Sequence, residues 1–327
     1  MRNSRTIELP RAVRLAVLLG VLTLALGVAG CRDVGEPSAA PRGSSTVAKD
    51  GRDTTETITV DGKRATFVLH VPPGLPSNAP AVLAFHGRGG SGAQMAAKSG
   101  LNAVADANHF VVAYPDNFME FRPASRTRSS ANSVSYVTAI IDKLAVDQHI
   151  SRTRVFATGV SLGGAYTQML GCDAADKLAA IAPTLSGMPA GYVKRCNPSR
   201  PLSVYELHGT ADPIVPYDGG TVVSRGGPGD GTEVLSAPDT AALWRTKNGC
   251  QPPAAPTTVP DKVNDGTHIT ITATTSCRNN TQVQLVTVEG GGHIWPGTPQ
   301  YLPESDIGKA SQNLNTAQSI WTFFAAL

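Results

Sequence analysis

From about residue 57 onward, short runs of β-forming residues alternate with segments whose apolar positions recur at helical spacing. Thr57 to Val60 and Ala65 to Val71 flank Asp61-Gly62, a pair suited to a two-residue hairpin turn. Ala81 to Phe85 and Phe110 to Tyr114 are continuous apolar runs, stopped by His86-Gly87 and Pro115-Asp116. Such runs fit strands buried on both faces of a mostly parallel sheet. Val155 to Thr158, Leu178 to Pro183, Ser203 to Leu207 and Val283 to Val288 continue the strand series. Helical spacing marks Gln94 to Asn108, Ser133 to Val146, Pro238 to Asn248 with Gly249 as its stop, and Gly308 to Phe324. The alternation predicts an α/β domain with a mostly parallel central sheet flanked by helices on both faces. Residues 56–327 suit one such domain.

Residues 1–30 have a different character. Arg2, Arg5, Arg11 and Arg14 precede the apolar stretch Leu15 to Leu26, which is shorter than the roughly 20 residues a membrane span needs. They read as a signal peptide. The run Val28-Ala29-Gly30-Cys31 resembles a bacterial lipobox, so Cys31 is the expected lipidated mature N-terminus, held to a membrane by acyl chains. A plain secreted protein cut near the same place is the alternative. Residues 31–55, rich in Pro, Ser, Gly and charge, read as a flexible tether.

Charge and cysteines follow from that division. The whole chain has 28 Lys and Arg against 25 Asp and Glu; the leader removes four Arg and one Glu, leaving 24 of each sign. A neutral mature chain offers no footprint for nucleic acid. Cys172, Cys196, Cys250 and Cys277 are an even set in an exported chain, where disulfides form. Of three connectivities, Cys172 with Cys196 and Cys250 with Cys277 close short loops and are favoured, with buried free thiols as the alternative. No CxxC or CxxH spacing supports a metal site.

The candidate chemistry sits where predicted strands end, as expected of an open α/β sheet. Gly159-Val160-Ser161-Leu162-Gly163 follows the run Val155 to Thr158 and has the form of a nucleophile elbow, with Ser161 as candidate nucleophile. A serine that only caps the next helix is the alternative. Ala81 to Phe85 leads into His86-Gly87-Arg88-Gly89-Gly90, a glycine-rich turn able to supply an oxyanion-hole amide. That donor is assigned to the Arg88 N–H, with Gly87 as alternative, and the second to the Leu162 N–H. His86 reads foremost as a core histidine that holds the turn, and secondly as a substrate-wall residue.

Ser203 to Leu207 leads into His208-Gly209-Thr210-Ala211-Asp212, placing Asp212 as candidate acid with Asp218 as competitor. The base must follow the acid in this order, which leaves His268 and His293. His268 opens a β-like run read as an edge hairpin, whereas His293 follows a strand through Gly290-Gly291-Gly292, so His293 is chosen. Ser161, Asp212 and His293 would form a triad that needs no metal or cofactor.

The segments VLAFHGRGG, VVAYPD, RVFATGVSLGG, LHGTADPIVPY, GCQPP and GGGHIWPG, in this order over residues 57–327, resemble secreted α/β-hydrolase esterases. These are the enzymes labelled polyhydroxybutyrate depolymerase or feruloyl esterase, including actinobacterial lipoproteins. The resemblance implies the same triad, makes Trp295 a site-wall residue and supports the same disulfide pairing. It implies hydrolysis of polyhydroxyalkanoate, feruloyl or related short-acyl esters outside the cytoplasm. One departure stands out: relatives carry a tryptophan after the YPD segment and an acidic pair opening the next helix. This chain has Asn117-Phe118-Met119-Glu120-Phe121 and Asn132-Ser133-Val134-Ser135-Tyr136. Phe118 is a candidate substrate-wall residue there, with simple packing as the alternative. A peptidase of the same fold and a noncatalytic cell-surface binding lipoprotein are the rival readings.

Overall fold

The computed structural model describes residues 51, 53–121, 131–223, 229 and 231–327. The leader 1–30, Cys31, residues 32–50 of the tether and most of the Gly226 to Gly231 loop lie outside the described residues.

The first described elements are β1 (Asp53–Val60), β2 (Lys63–His70), β3 (Ala81–Phe85), α1 (Gly92–Ser99), α2 (Leu101–Asn108) and β4 (Val111–Pro115). Next come α3 (Ala131–Asp147), β5 (Val155–Val160), α4 (Leu162–Asp173), β6 (Ala180–Thr184) and β7 (Ser203–Gly209). A short ribbon, β8 (Gly220–Thr221) with β9 (Glu233–Val234), precedes α5 (Ala237–Asn248). The chain finishes with β10 (Thr257–Val259), β11 (His268–Thr274), β12 (Val283–Glu289), α6 (Glu304–Ile307) and α7 (Thr316–Ala325).

Among the described residues, ten strands form one sheet in the order β1-β2-β4-β3-β5-β6-β7-β12-β11-β10. The six from β4 to β12 in that order are parallel, and antiparallel pairs close both edges. The alternation of side chains along a strand explains why the apolar runs are continuous. Leu83, Phe85, Ala157, Ile181 and Val204 pack beneath α3, α4 and α5, while Val82, Ala84, Val112, Phe156 and Ala182 pack against α1, α2 and α7. Two disulfides brace the α4 and α5 side: Cys172–Cys196 ties the end of α4 to the segment before β7, and Cys250–Cys277 ties the end of α5 to the segment after β11. No described helix is long and apolar enough to cross a membrane.

Three differences from the sequence reading exceed one or two residues at an element's end. Strand β1 starts at Asp53, so Asp53 to Thr55, assigned to the tether, pair with His70, Leu69 and Val68. Polar contacts rather than apolar burial hold this end: Asp53 Oδ1 lies 2.9 Å from His70 Nδ1 and accepts from Asn102 Nδ2 at 2.9 Å. The helix expected over Gln94 to Asn108 is two helices, because Gly100 adopts φ 73°, a left-handed conformation that ends α1. The last helix starts at Thr316 rather than Gly308. The Asn315 side chain caps it, while Asn313 Oδ1, just upstream, accepts from the Lys262 and Val263 amides at 2.7 and 2.9 Å.

The α7 layer is held by rings: Trp321 stacks on Phe110 at 3.9 Å between centroids, and Phe324 stacks on Phe156 at 4.4 Å. Trp321→Ala is expected to lower the unfolding free energy by about 3–5 kcal/mol, read as a lower urea midpoint at unchanged slope.

Candidate active site

Strand β5 ends at Val160 and α4 starts at Leu162, so Ser161 alone turns strand into helix. Its φ of 57° and ψ of −118° lie outside the regions open to ordinary residues with a β-carbon. Such a conformation costs on the order of 1–3 kcal/mol and persists only when neighbours impose it. Those neighbours are identifiable. The Ser161 N–H donates to the Thr184 carbonyl at 3.0 Å, and the Ser161 carbonyl accepts from the Ala165 N–H at 2.9 Å. A β-carbon at Gly163 would sit 2.3 Å from the Phe85 carbonyl oxygen, so only glycine lets the first turn of α4 press on the end of β3.

That close approach brings the glycine-rich turn to the serine. A β-carbon at Gly87 would lie 3.5 Å from the Ser161 Cβ. The turn is fixed from behind by His86, whose Nδ1 and Nε2 face the carbonyl oxygens of Gly87 at 2.7 Å and Asp116 at 3.1 Å. The Asp116 carboxylate in turn accepts from the Gly92 N–H at 2.7 Å and the Thr66 hydroxyl at 3.0 Å. Arg88 and Leu162 line one cleft with Ser161. The Leu162 N–H is the first amide of α4, where no carbonyl of the helix stands behind it and the helix end is electropositive. His86 is buried and also lines the cleft.

Strands β7 and β12 are parallel neighbours, and the loops at their carboxyl ends are stitched together. The Thr210 N–H donates to Val288, the Ala211 N–H to Gly291 and the Gly290 N–H to the Thr210 hydroxyl, at 3.0, 2.9 and 2.9 Å. This brings His293 Nδ1 to 2.7 Å from Asp212 Oδ2, with both residues buried. A carboxylate only accepts, so Nδ1 carries the proton, and in the neutral ring Nε2 is the acceptor. The other carboxylate oxygen, Oδ1, accepts from the Ile214 and Val215 amides, both at 2.8 Å. Burial alone would push the Asp212 carboxyl up. The charge on His293, together with hydrogen bonds from His208 and His293, outweighs it and holds the carboxyl well below the usual carboxylate range.

His293 and Ser161 line the same cleft. The competitors do not: His268 is exposed and pairs with Asp261 at 2.7 Å, and Asp218 lies outside the cleft lining.

The cleft has a volume of about 1290 Å3. Trp295 lines it while packing against the α7 layer. Phe118 does not line it, which corrects its assignment as a substrate-wall residue. It is fully buried, with ring centroids 5.2 Å from Phe85, 4.9 Å from His86 and 4.9 Å from Tyr166. Its ring therefore backs the glycine-rich turn, and the adjacent Met119 reaches the cleft instead. Sequence reasoning also missed Ala165, Tyr166 and Met169, which line the cleft along one face of α4. Their spacing from Ser161, at four, five and eight residues, is the signal that could have found them. Tyr192 and Val234 come from segments with no such pattern. His208, four residues before Asp212, looks in the sequence like no more than the end of a strand; its Nε2 lies 3.4 Å from Asp212 Oδ2.

Over 339 aligned residues the chain is 30% identical to the Nocardia uniformis subsp. tsuyamanensis protein named "Putative esterase NocK", covering 95% of this chain and 97% of that protein. It belongs to that esterase family and is a serine esterase of the α/β-hydrolase fold. Feruloyl esterase B of Piromyces equi is 29% identical over half of this chain, and poly(3-hydroxyalkanoate) depolymerase C of Paucimonas lemoignei is 32% identical over 36% of it. The matches span 29% and 30% of those two proteins. The fold resembles that of acetyl xylan esterase from Aspergillus awamori, with a TM-score of 0.55 at 14% identity, covering 84% of this chain and all of that one. No family model matches the chain.

The depressed Asp212 carboxyl has a consequence for acid stability. Its contribution is complete above the unfolded Asp value of about 3.9 and is lost as pH falls through the lower folded value. Below about pH 4, wild-type protein is therefore expected to lose unfolding free energy faster than Asp212→Asn, measured by urea titration at successive pH values.

Proposed function

We propose that the protein hydrolyses carboxylic esters through Ser161, His293 and Asp212 by way of an acyl-enzyme. The observation that carries this reading is the 2.7 Å His293–Asp212 contact at the end of adjacent strands, beside a serine held at φ 57° in the same cleft. His293 Nε2 takes the proton as Ser161 Oγ attacks the ester carbonyl. Asp212 fixes the tautomer and stabilises the imidazolium. The amides of Leu162 and Arg88 receive the oxyanion, which supplies the electrostatic share of the rate. His293 then returns the proton to the departing alcohol, and a water activated by the same ring resolves the acyl-enzyme.

Feruloyl, polyhydroxyalkanoate and related short-acyl esters are the proposed substrates, on the strength of the relatives' names and of a cleft roomy enough for a bulky or repeating ester. An extracytoplasmic place of action is supported by the two disulfides, which persist in oxidising surroundings. Attachment through a lipidated Cys31 belongs to the same proposal.

The mature domain is expected to hydrolyse p-nitrophenyl butyrate. Ser161→Ala is expected to lower kcat by at least about 10³-fold and Asp212→Asn by about 10⁴-fold, with thermal melts confirming folded protein. Equal rates in wild type and Ser161→Ala would refute the reading.

A further inference from the structure

The cleft around Ser161 has an arm toward each face of the sheet. On one side Met95 and Trp295, the latter two residues past His293, line it and pack in the layer of α1, α2 and α7. On the other side Met119, Met169 and Tyr192 line it and pack in the layer of α3, α4 and α5. The two arms divide an ester between them. The departing alcohol oxygen must come within hydrogen-bond reach of His293 Nε2, which places the alcohol in the arm beside the His293 loop. The acyl group stays on Ser161 Oγ after the alcohol leaves, so it occupies the arm along α4.

That arm has a definite end. Residues four apart on a helix lie one above the other, and Ser161, Ala165, Met169 and Asp173 make one such row. The first three line the cleft, whereas Asp173 does not. Tyr192 accounts for the stop. Its hydroxyl donates to Asp173 Oδ2, so its ring covers the last turn of α4. The residue is buried, with the Arg195 guanidinium 5.0 Å from its ring centroid. Its carbonyl accepts from the Cys196 N–H at 3.0 Å, and Cys196 is bonded to Cys172, the neighbour of Asp173. A side chain tied to α4 at its tip, and through its backbone at the disulfide, is a fixed end wall.

The row also sets a length. From Ser161 to Met169 the helix rises about 12 Å. With bonds of about 1.5 Å, an extended chain advances roughly 1.3 Å per carbon, so this span, less the serine side chain, holds about eight carbons. Met119, Ala165, Met169 and Val234 give the arm apolar walls, and the two methionines can follow the shape of a chain.

We propose that Tyr192 sets the acyl-chain length, closing an apolar arm along α4 that takes unbranched aliphatic acyl groups of up to about eight carbons. This rests on the Ser161, Asp212 and His293 reading, which fixes the end of the arm where the acyl carbonyl is held. Tyr192 is thus a specificity-determining residue, and the Cys172–Cys196 bridge holds it in place.

The test measures kcat/KM of the mature domain for p-nitrophenyl butyrate, octanoate and dodecanoate, each below its micelle concentration. Tyr192→Ala opens the last turn of α4, about 6 Å more of arm. The dodecanoate-to-butyrate ratio is then expected to rise at least about tenfold, since each newly buried methylene is worth up to about fourfold. Tyr192→Phe keeps the ring and is expected to hold the wild-type ratio within about twofold. A role in stability alone would lower the melting temperature without moving the ratio. An unmoved ratio in Tyr192→Ala, or an equal rise in Tyr192→Phe, overturns the proposal. So does a Tyr192→Ala effect seen on alkyl butyrates of increasing alcohol length in place of the acyl series. Should Tyr192→Ala fail to fold, Met169→Trp decides by filling the arm one turn nearer Ser161: an octanoate-to-butyrate ratio lowered at least about tenfold supports the proposal, and an unchanged ratio overturns it. Ser161→Ala as active as wild type on butyrate would instead remove the triad reading, so the two failures are distinguishable.

Discussion

The forced backbone at Ser161 is the constraint on which the rest of the site depends. A serine at φ 57° is held there by the Thr184 carbonyl on one side and by the turn of α4 on the other. The same contacts press α4 against the end of β3, close enough that Gly163 cannot carry a β-carbon. One tight turn thereby sets three things: the exposure of a hydroxyl, the position of the Leu162 amide and the place of the glycine-rich turn beside it. The strain is local, and it is offset by the burial of the parallel strands that meet there.

The second half of the site is electrostatic. Asp212 is a buried carboxylate, which is costly unless hydrogen bonds and an opposite charge compensate it. Two backbone amides, His293 and His208 surround it. The amides come from its own turn, so the carboxylate is preorganised before His293 is considered. The pairing of β7 with β12 then decides which histidine meets it. Because the loops after these strands are hydrogen-bonded to each other, His293 arrives at Asp212 while His268, on the next strand outward, faces Asp261.

Much of this was legible in the sequence, because covalent geometry restricts the residue types at these positions. Asp61-Gly62 marks the β1–β2 turn, and Gly159 and Gly163 flank the elbow. Strands β3 and β7 end at His-Gly pairs, with Asp212 and His293 just beyond β7 and β12. What depends on tertiary neighbours was not legible. Phe118 reads equally as a wall or as packing until Phe85 and Tyr166 are known to close around it. Gly100 inside a helical pattern is tolerated often enough that the break between α1 and α2 needs the structure. The polar start of β1 carries no apolar alternation, since Asp53 is held by His70 and Asn102 rather than by the core. His208 lies in an otherwise apolar run, and only its approach to Asp212 links it to the site.

The central claim is that the elbow serine carries the acyl group. Acid quenching of the mature domain during turnover of a p-nitrophenyl ester, followed by peptide mapping by mass spectrometry, tests it most directly. The account predicts one acyl adduct, on the peptide containing Ser161 and on that residue. An adduct on any other residue, or turnover with no adduct on Ser161 when product release shows a burst, would contradict it.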